Sequence, residues 1–142
     1  MEFTLTKDTP PQEVFDYITD FLMAQGKRSV SYNMCSYRSA NHCKCAVGAV
    51  IPDALYREAF EGKSIDGVLG ELLDDDEFAA LYDALYAHLL LLRTLQFVHD
   101  QVGANKTESE LRVAWREGFV RAAHQYGLVY DPTKHNEQYQ LK

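Results

Sequence analysis

The sequence predicts a mainly helical α+β domain, residues 1–142, in which a small antiparallel β-hairpin packs against amphipathic helices. Three observations carry that expectation. Apolar residues recur at helical spacing over 10–25, 76–102 and 108–126; the period drops toward two between Val30 and Ile51; and Gly26, Gly103 and Gly127 stand where helices should stop.

The first helix, about 10–25, is signalled by Thr9-Pro10-Pro11-Gln12, a capping hydroxyl with proline at the first helical position and Gln three residues after the cap. Val14, Phe15, Ile18, Phe21 and Leu22 mark its core face. The hairpin, about 30–51, is expected from two alternations. Val30, Tyr32 and Met34 alternate with Ser31, Asn33 and Cys35, and Cys45, Val47, Ala49 and Ile51 alternate with Lys44, Ala46, Gly48 and Val50. Ser39 to His42 forms the turn, without the Asn-Gly or Asp-Gly pair of the tightest hairpins. Short helices follow at about 53–60 and 65–73, the second capped by Ser64. The acidic run Asp74-Asp75-Asp76-Glu77 suits the positive end of a long helix, about 76–102, whose core face carries Phe78, Leu81, Leu85, Leu89, Leu92 and Leu95. Thr107-Glu108-Ser109-Glu110 repeats the capping-box pattern ahead of a helix over about 108–126, in which Trp115 should pack beside Leu111 and Phe119 against the long helix. Residues 131–142 form a polar tail expected to fray.

Composition narrows the function classes. With 21 acidic against 14 basic residues the net charge is -7, which argues against a general nucleic-acid binder, because phosphate backbones reward basic surfaces. The longest apolar stretches fall far short of the ~20 residues of a membrane span, and the N-terminal residues lack the pattern of a signal peptide. A soluble cytoplasmic protein is expected, with no membrane partner. Three cysteines crowded together fit reduced thiols better than a disulfide framework.

Charge is nevertheless reversed locally. Between Gln25 and Pro52 there is no Asp or Glu, while Lys27, Arg28, Arg38 and Lys44 give the window +4 against -11 for the remainder. An acid-free window holding Tyr32, Asn33, Tyr37, Asn41 and His42 has what the lining of a small-anion pocket needs. The candidate ligand-binding residues are therefore Arg28, Tyr32, Tyr37, Arg38, Asn41, His42 and Lys44: planar faces for a base, cationic groups for phosphate, amide or imidazole for ribose hydroxyls. Strand alternation sets Tyr32 on the face opposite Cys35 and Tyr37, so one pocket needs a twisted turn or a second subunit. The structural alternative is a basic surface that only offsets acidic neighbours.

Cys35-Ser36-Tyr37-Arg38, then Lys44-Cys45-Ala46-Val47-Gly48-Ala49-Val50-Ile51-Pro52-Asp53, then Tyr56 and Phe60-Glu61-Gly62, resemble the signature of a functionally uncharacterised family of short bacteriophage and prophage proteins. Leu95-Gln96 and His99-Asp100 resemble its second, weaker signature. The chain departs from the family at the turn, where Ser39-Ala40-Asn41-His42-Cys43 replaces Gly-Pro and a further Gly. The resemblance implies a phage-related setting and supplies no catalytic residues.

Other chemistries are weaker on spacing. Cys35, His42, Cys43 and Cys45 are zinc-type ligands, but Cys43 and Cys45 share a strand face and Cys35 lies across the hairpin, so buried inert thiols and no metal are expected. Cys43 beside His42 is the one cheap nucleophile–base pair; adjacent residues on a strand point apart, whereas on the turn the two could meet, which keeps a thiol enzyme as a minor alternative. His99-Asp100 and His124 sit on helices, where a terminal carbonyl or solvent is their ordinary partner. No phosphate loop, nucleophile elbow or paired-histidine motif is present. The expectation is a non-enzymatic, cofactor-free, phage-type anti-defence protein of the host cytoplasm that sequesters a small anionic nucleotide signal, as a homo-oligomer paired through hairpin edges. The alternative is an acidic inhibitor that covers a basic surface on a host nuclease or defence complex with Asp74 to Glu77 and Asp83.

Overall fold

Helix α1 (Pro11–Gln25) begins one residue later than the capping pattern suggests, because Pro11 holds Pro10 in extended backbone (ψ 139°). The Thr9/Gln12 cap is therefore not made. Thr9 Oγ1 instead accepts the Thr6 N–H at 2.9 Å, and the Gln12 amide pairs with both backbone groups of Val129. The computed structural model describes residues 3–31, 34–103 and 105–142.

The hairpin is the largest correction. Val30–Ser31 (β1) pairs antiparallel with Met34–Cys35 (β2), so the stretch expected as one strand supplies both partners of the ladder. Toward residue 44 only a single bridge forms, Arg38 to Lys44. Cys45 to Ile51 is no strand: the Ala49 N–H bonds the Cys45 carbonyl, and Gly48–Val50 is a 3₁₀ turn. All seven residues are buried, so their apparent alternation never separated a wet from a dry face, and a short apolar run of that kind does not distinguish strand from buried turn. Gly48 fixes the close approach, since a Cβ there would overlap the Tyr37 carbonyl.

The expected helix at 53–60 resolves into two 3₁₀ turns, Asp53–Leu55 and Glu58–Phe60, with extended backbone at Tyr56 and Arg57. Helix α2 (Ile65–Leu72) carries its expected cap, Ser64 Oγ accepting the Gly67 N–H. The expected long helix 76–102 is broken. A 3₁₀ turn at Asp76–Phe78 leads into α3 (Ala79–Ala87), and α4 (Leu89–Asp100) leaves at 79°. His88 is the corner (φ -111°, ψ 18°), and its buried ring bonds the Thr6 carbonyl at 3.0 Å. The bend lets α3 pack on α2 while α4 packs on α1 and α5. Leucine spacing runs unbroken through the corner because both arms are buried.

Helix α5 (Glu108–Tyr126) has the expected capping box between Thr107 and Glu110 and ends on left-handed Gly127. Trp115 is fully buried against α4, its ring stacked on His99 with centroids 5.7 Å apart. The tail does not fray: Thr133–Tyr139 forms α6. Polar residues dock it, which is why its composition reads as a solvated end. Buried His135 bonds Asp20 and Tyr130 at 2.8 Å each, and Arg116 holds Asn136 Oδ1 at 2.7 Å. One buried apolar cluster runs from Leu5 to Leu141, and the architecture is a mainly helical α+β domain with a two-stranded antiparallel sheet. Among the described residues no single helix is long and apolar enough to cross a membrane.

Candidate functional site

The residues of the first signature converge because one carboxylate gathers them. Glu61 Oε1 accepts the Tyr37 N–H at 2.9 Å, and Oε2 accepts the Arg38 N–H at 3.0 Å and the Tyr56 hydroxyl at 2.5 Å. Arg38 then lies over the Tyr56 ring, 4.8 Å from its centroid, and donates to the Ile51 carbonyl at 2.6 Å and to Asp53 Oδ1 at 2.8 Å. Lys44 Nζ reaches the same Asp53 oxygen at 3.4 Å. Gln25, at the end of α1, fixes the Lys44 backbone by accepting its N–H at 2.8 Å and donating to its carbonyl at 2.9 Å.

The result is an open cleft of about 360 Å³ lined by Arg38, Ser39, His42, Cys43, Lys44, Asp53 and Tyr56. Its cations are half-sheltered: the Arg38 and Lys44 side chains are 19% and 28% exposed, against 82% for Asp53. The Lys44 ammonium and the Arg38 guanidinium hold the Asp53 carboxyl below the usual carboxylate range. Arg38 Nε is buried without a hydrogen-bond partner among the described residues. The Tyr56 hydroxyl is pushed up by burial and by its bond to Glu61.

Of the seven residues singled out from the sequence, Arg38, His42 and Lys44 share this cleft. His42 is exposed on the turn in left-handed backbone (φ 65°). Asn41 is exposed beside it and accepts the Ser39 hydroxyl. Tyr37 offers no stacking face, because its ring is buried and its hydroxyl donates to the Lys63 carbonyl at 2.5 Å. Tyr32 lies outside the described residues, as does Asn33. Arg28 is elsewhere, donating to Cys35 Sγ at 3.1 Å and facing a separate cleft with Lys27, Lys106 and Glu108. Asp53 and Tyr56 were not anticipated as lining. Their place in the signature was the available signal, and the acid-free window hid it because Asp53 stands just past its end.

The thiols sort differently from the expected set. Cys43 and Cys45 are buried, and burial pushes the Cys45 thiol up to about 12. Among the described residues the trio whose ligand atoms lie within 4.8 Å of one another is Cys35, His99 and Asp100. Its hydrogen bonds oppose both metal ligation and base catalysis. The Ser29 N–H donates to His99 Nε2 at 3.1 Å, so Nε2 carries the lone pair and Nδ1 the proton, given to Asp100 Oδ1 at 2.8 Å. No ring nitrogen is left for a cation or for the Cys35 proton. Burial and the neighbouring Asp100 also raise the Cys35 thiol. Gln96 ties this trio to the buried turn, accepting the Val47 N–H at 3.0 Å and donating to Asp100 at 2.9 Å.

Comparison with protein-family models, with curated proteins and with solved structures finds no match.

Proposed function

We propose that the protein is a non-enzymatic binder that sequesters a small anionic, nucleotide-like signal in the cleft of Arg38, His42 and Lys44, acting in a phage-related setting in the host bacterial cytoplasm. The observation that carries the reading is the convergence of Arg38 Nη1 and Lys44 Nζ on one outward-facing oxygen, Asp53 Oδ1. Two cations on one carboxylate oxygen present the charge geometry a phosphate oxygen accepts, and Asp53, being highly exposed, is a counter-ion that a stronger anion displaces. Tyr56, under the Arg38 guanidinium, adds an aromatic wall suited to a planar ring. The phage setting rests on the signature resemblance alone. A thermal-shift screen of nucleotides and cyclic nucleotides tests the reading, because a ligand of the native state raises stability by RT ln(1 + [L]/Kd). Concentration-dependent stabilisation that disappears in Arg38→Ala supports it; a flat response to every phosphate-bearing compound contradicts it.

One feature favours a second reading, an acidic inhibitor of a host nuclease or defence complex. Asp74, Asp75, Asp76 and Glu77 are all exposed and adjoin Leu73, itself 60% exposed, so an apolar contact stands in an acidic collar. Charge reversal across Asp74 to Glu77 should slow association with a basic host protein and leave the Arg38 cleft unaffected.

A further inference from the structure

Arg38 and Tyr56, stacked on one another, line two clefts. Beyond the cationic cleft, both residues also line a second one of about 410 Å³ with Ser31, Met34, Cys35, Ser36, Glu58, Glu61 and Gly62. The two clefts have opposite chemistry. The first presents Arg38, His42 and Lys44; the second presents the carboxylates of Glu58 and Glu61 beside Met34, an apolar side chain 65% exposed. Glu61 spends three acceptor sites on Tyr37, Arg38 and Tyr56. Glu58 spends none: its carboxylate makes no hydrogen bond or ion pair with any described residue.

We infer that the ligand is bipartite, straddling the Arg38–Tyr56 stack with its anionic group on Arg38 and Lys44 and a base bearing two adjacent N–H donors on Glu58. This inference rests on the anion-binding reading above and specifies the ligand class. An ionised carboxylate is acceptor-only and matches a pair of parallel N–H groups, as on the N1–H and 2-amino edge of guanine; it repels a base edge that offers carbonyl oxygens. Met34 supplies an apolar surface for such a ring, and each cleft is of a size that holds part of a small ligand.

Calorimetric titration of the full chain with GMP, IMP and inorganic pyrophosphate tests this, since IMP keeps the ring and phosphate of GMP and lacks the 2-amino group. GMP should bind about tenfold or more tightly than IMP. Glu58→Gln and Glu58→Ala should erase that preference, leave pyrophosphate affinity as in the wild type, and leave the melting temperature unchanged, because Glu58 is exposed and holds nothing in the fold. Equal GMP and IMP affinity in the wild type, or a preference that survives both Glu58 variants, overturns the bipartite ligand while pyrophosphate binding keeps the anion cleft standing. Failure of all three probes to bind overturns both.

Discussion

Glu61 holds Arg38 by its backbone, not by its charge: Oε2 accepts the Arg38 N–H at 3.0 Å while the guanidinium turns away to Asp53 and the Ile51 carbonyl. A carboxylate 23 residues downstream thus sets the position of the cationic loop and leaves the Arg38 head group available at the cleft. Tyr37, Arg38 and Tyr56 are all fastened to Glu61.

Replacing Glu61 with Gln therefore tests fold rather than ligand contact. The amide keeps one acceptor oxygen where the carboxylate has two, so one of the paired backbone groups loses its partner. The expected cost is about 1.5–3 kcal/mol, the range for hydrogen bonds to charged groups, read from urea denaturation midpoints. An unchanged midpoint would mean the loop is held by other contacts.

At the core, Trp115 is fully buried and stacked on His99. Trp115→Ala should destabilise the protein by roughly 3–5 kcal/mol. A near-neutral change would place Trp115 outside the cooperative core.

Such core residues were legible in the sequence, as were the α2 and α5 caps, because local hydrogen bonds and helical spacing announce themselves in a few neighbouring residues. The corner at His88 was not, because what breaks the helix is a bond to Thr6, 82 residues away. Cys45 to Ile51 read as a strand because buried turns and buried strands are equally apolar, and α6 read as frayed because the side chains that dock it are polar. In the cleft, Arg38, His42 and Lys44 were visible as a cationic, acid-free cluster. Their counter-ion Asp53 was not, and neither was Glu61, which fastens the loop through backbone groups: both come from beyond the window, and only the fold returns them to it.

The Cys45 thiol gives the protein an alkaline weakness. Burial raises it to about 12, above its value in an unfolded chain, so the native state keeps a proton that the unfolded state releases. The sign follows: its contribution is complete below the unfolded thiol value, about 8.5, and is lost as pH rises toward about 12, at up to ~1.4 kcal/mol per pH unit. Burial raises the Tyr37 hydroxyl as well, in the same sense. Urea midpoints should fall over that window, and Cys45→Ala should fall less steeply. A wild-type midpoint independent of pH across the window would contradict the burial assigned to this thiol.

Asp53 offers a direct view of the cleft's electrostatics. Lys44 and then Arg38 hold its carboxyl below the usual range, so Lys44→Ala and Arg38→Ala should each raise it, measured by carboxyl ¹³C chemical shift against pH. The folded value is the depressed one, so the pair's contribution to stability is present above the unfolded carboxyl value and lost as pH falls through the folded one. A carboxyl that titrates identically in wild type and both variants would mean the three groups do not interact in solution.

The most direct measurement is calorimetric titration of inorganic pyrophosphate into the wild type, Asp53→Asn and Arg38→Ala at one fixed salt concentration. If the cations of the cleft serve an anion in competition with Asp53, removing that carboxylate should tighten binding, while removing the guanidinium should weaken it by roughly 10- to 150-fold, with the urea midpoint of each variant read alongside because Arg38 also holds the Ile51 carbonyl. Equal affinities in all three proteins, or tighter binding in Arg38→Ala, would contradict the account.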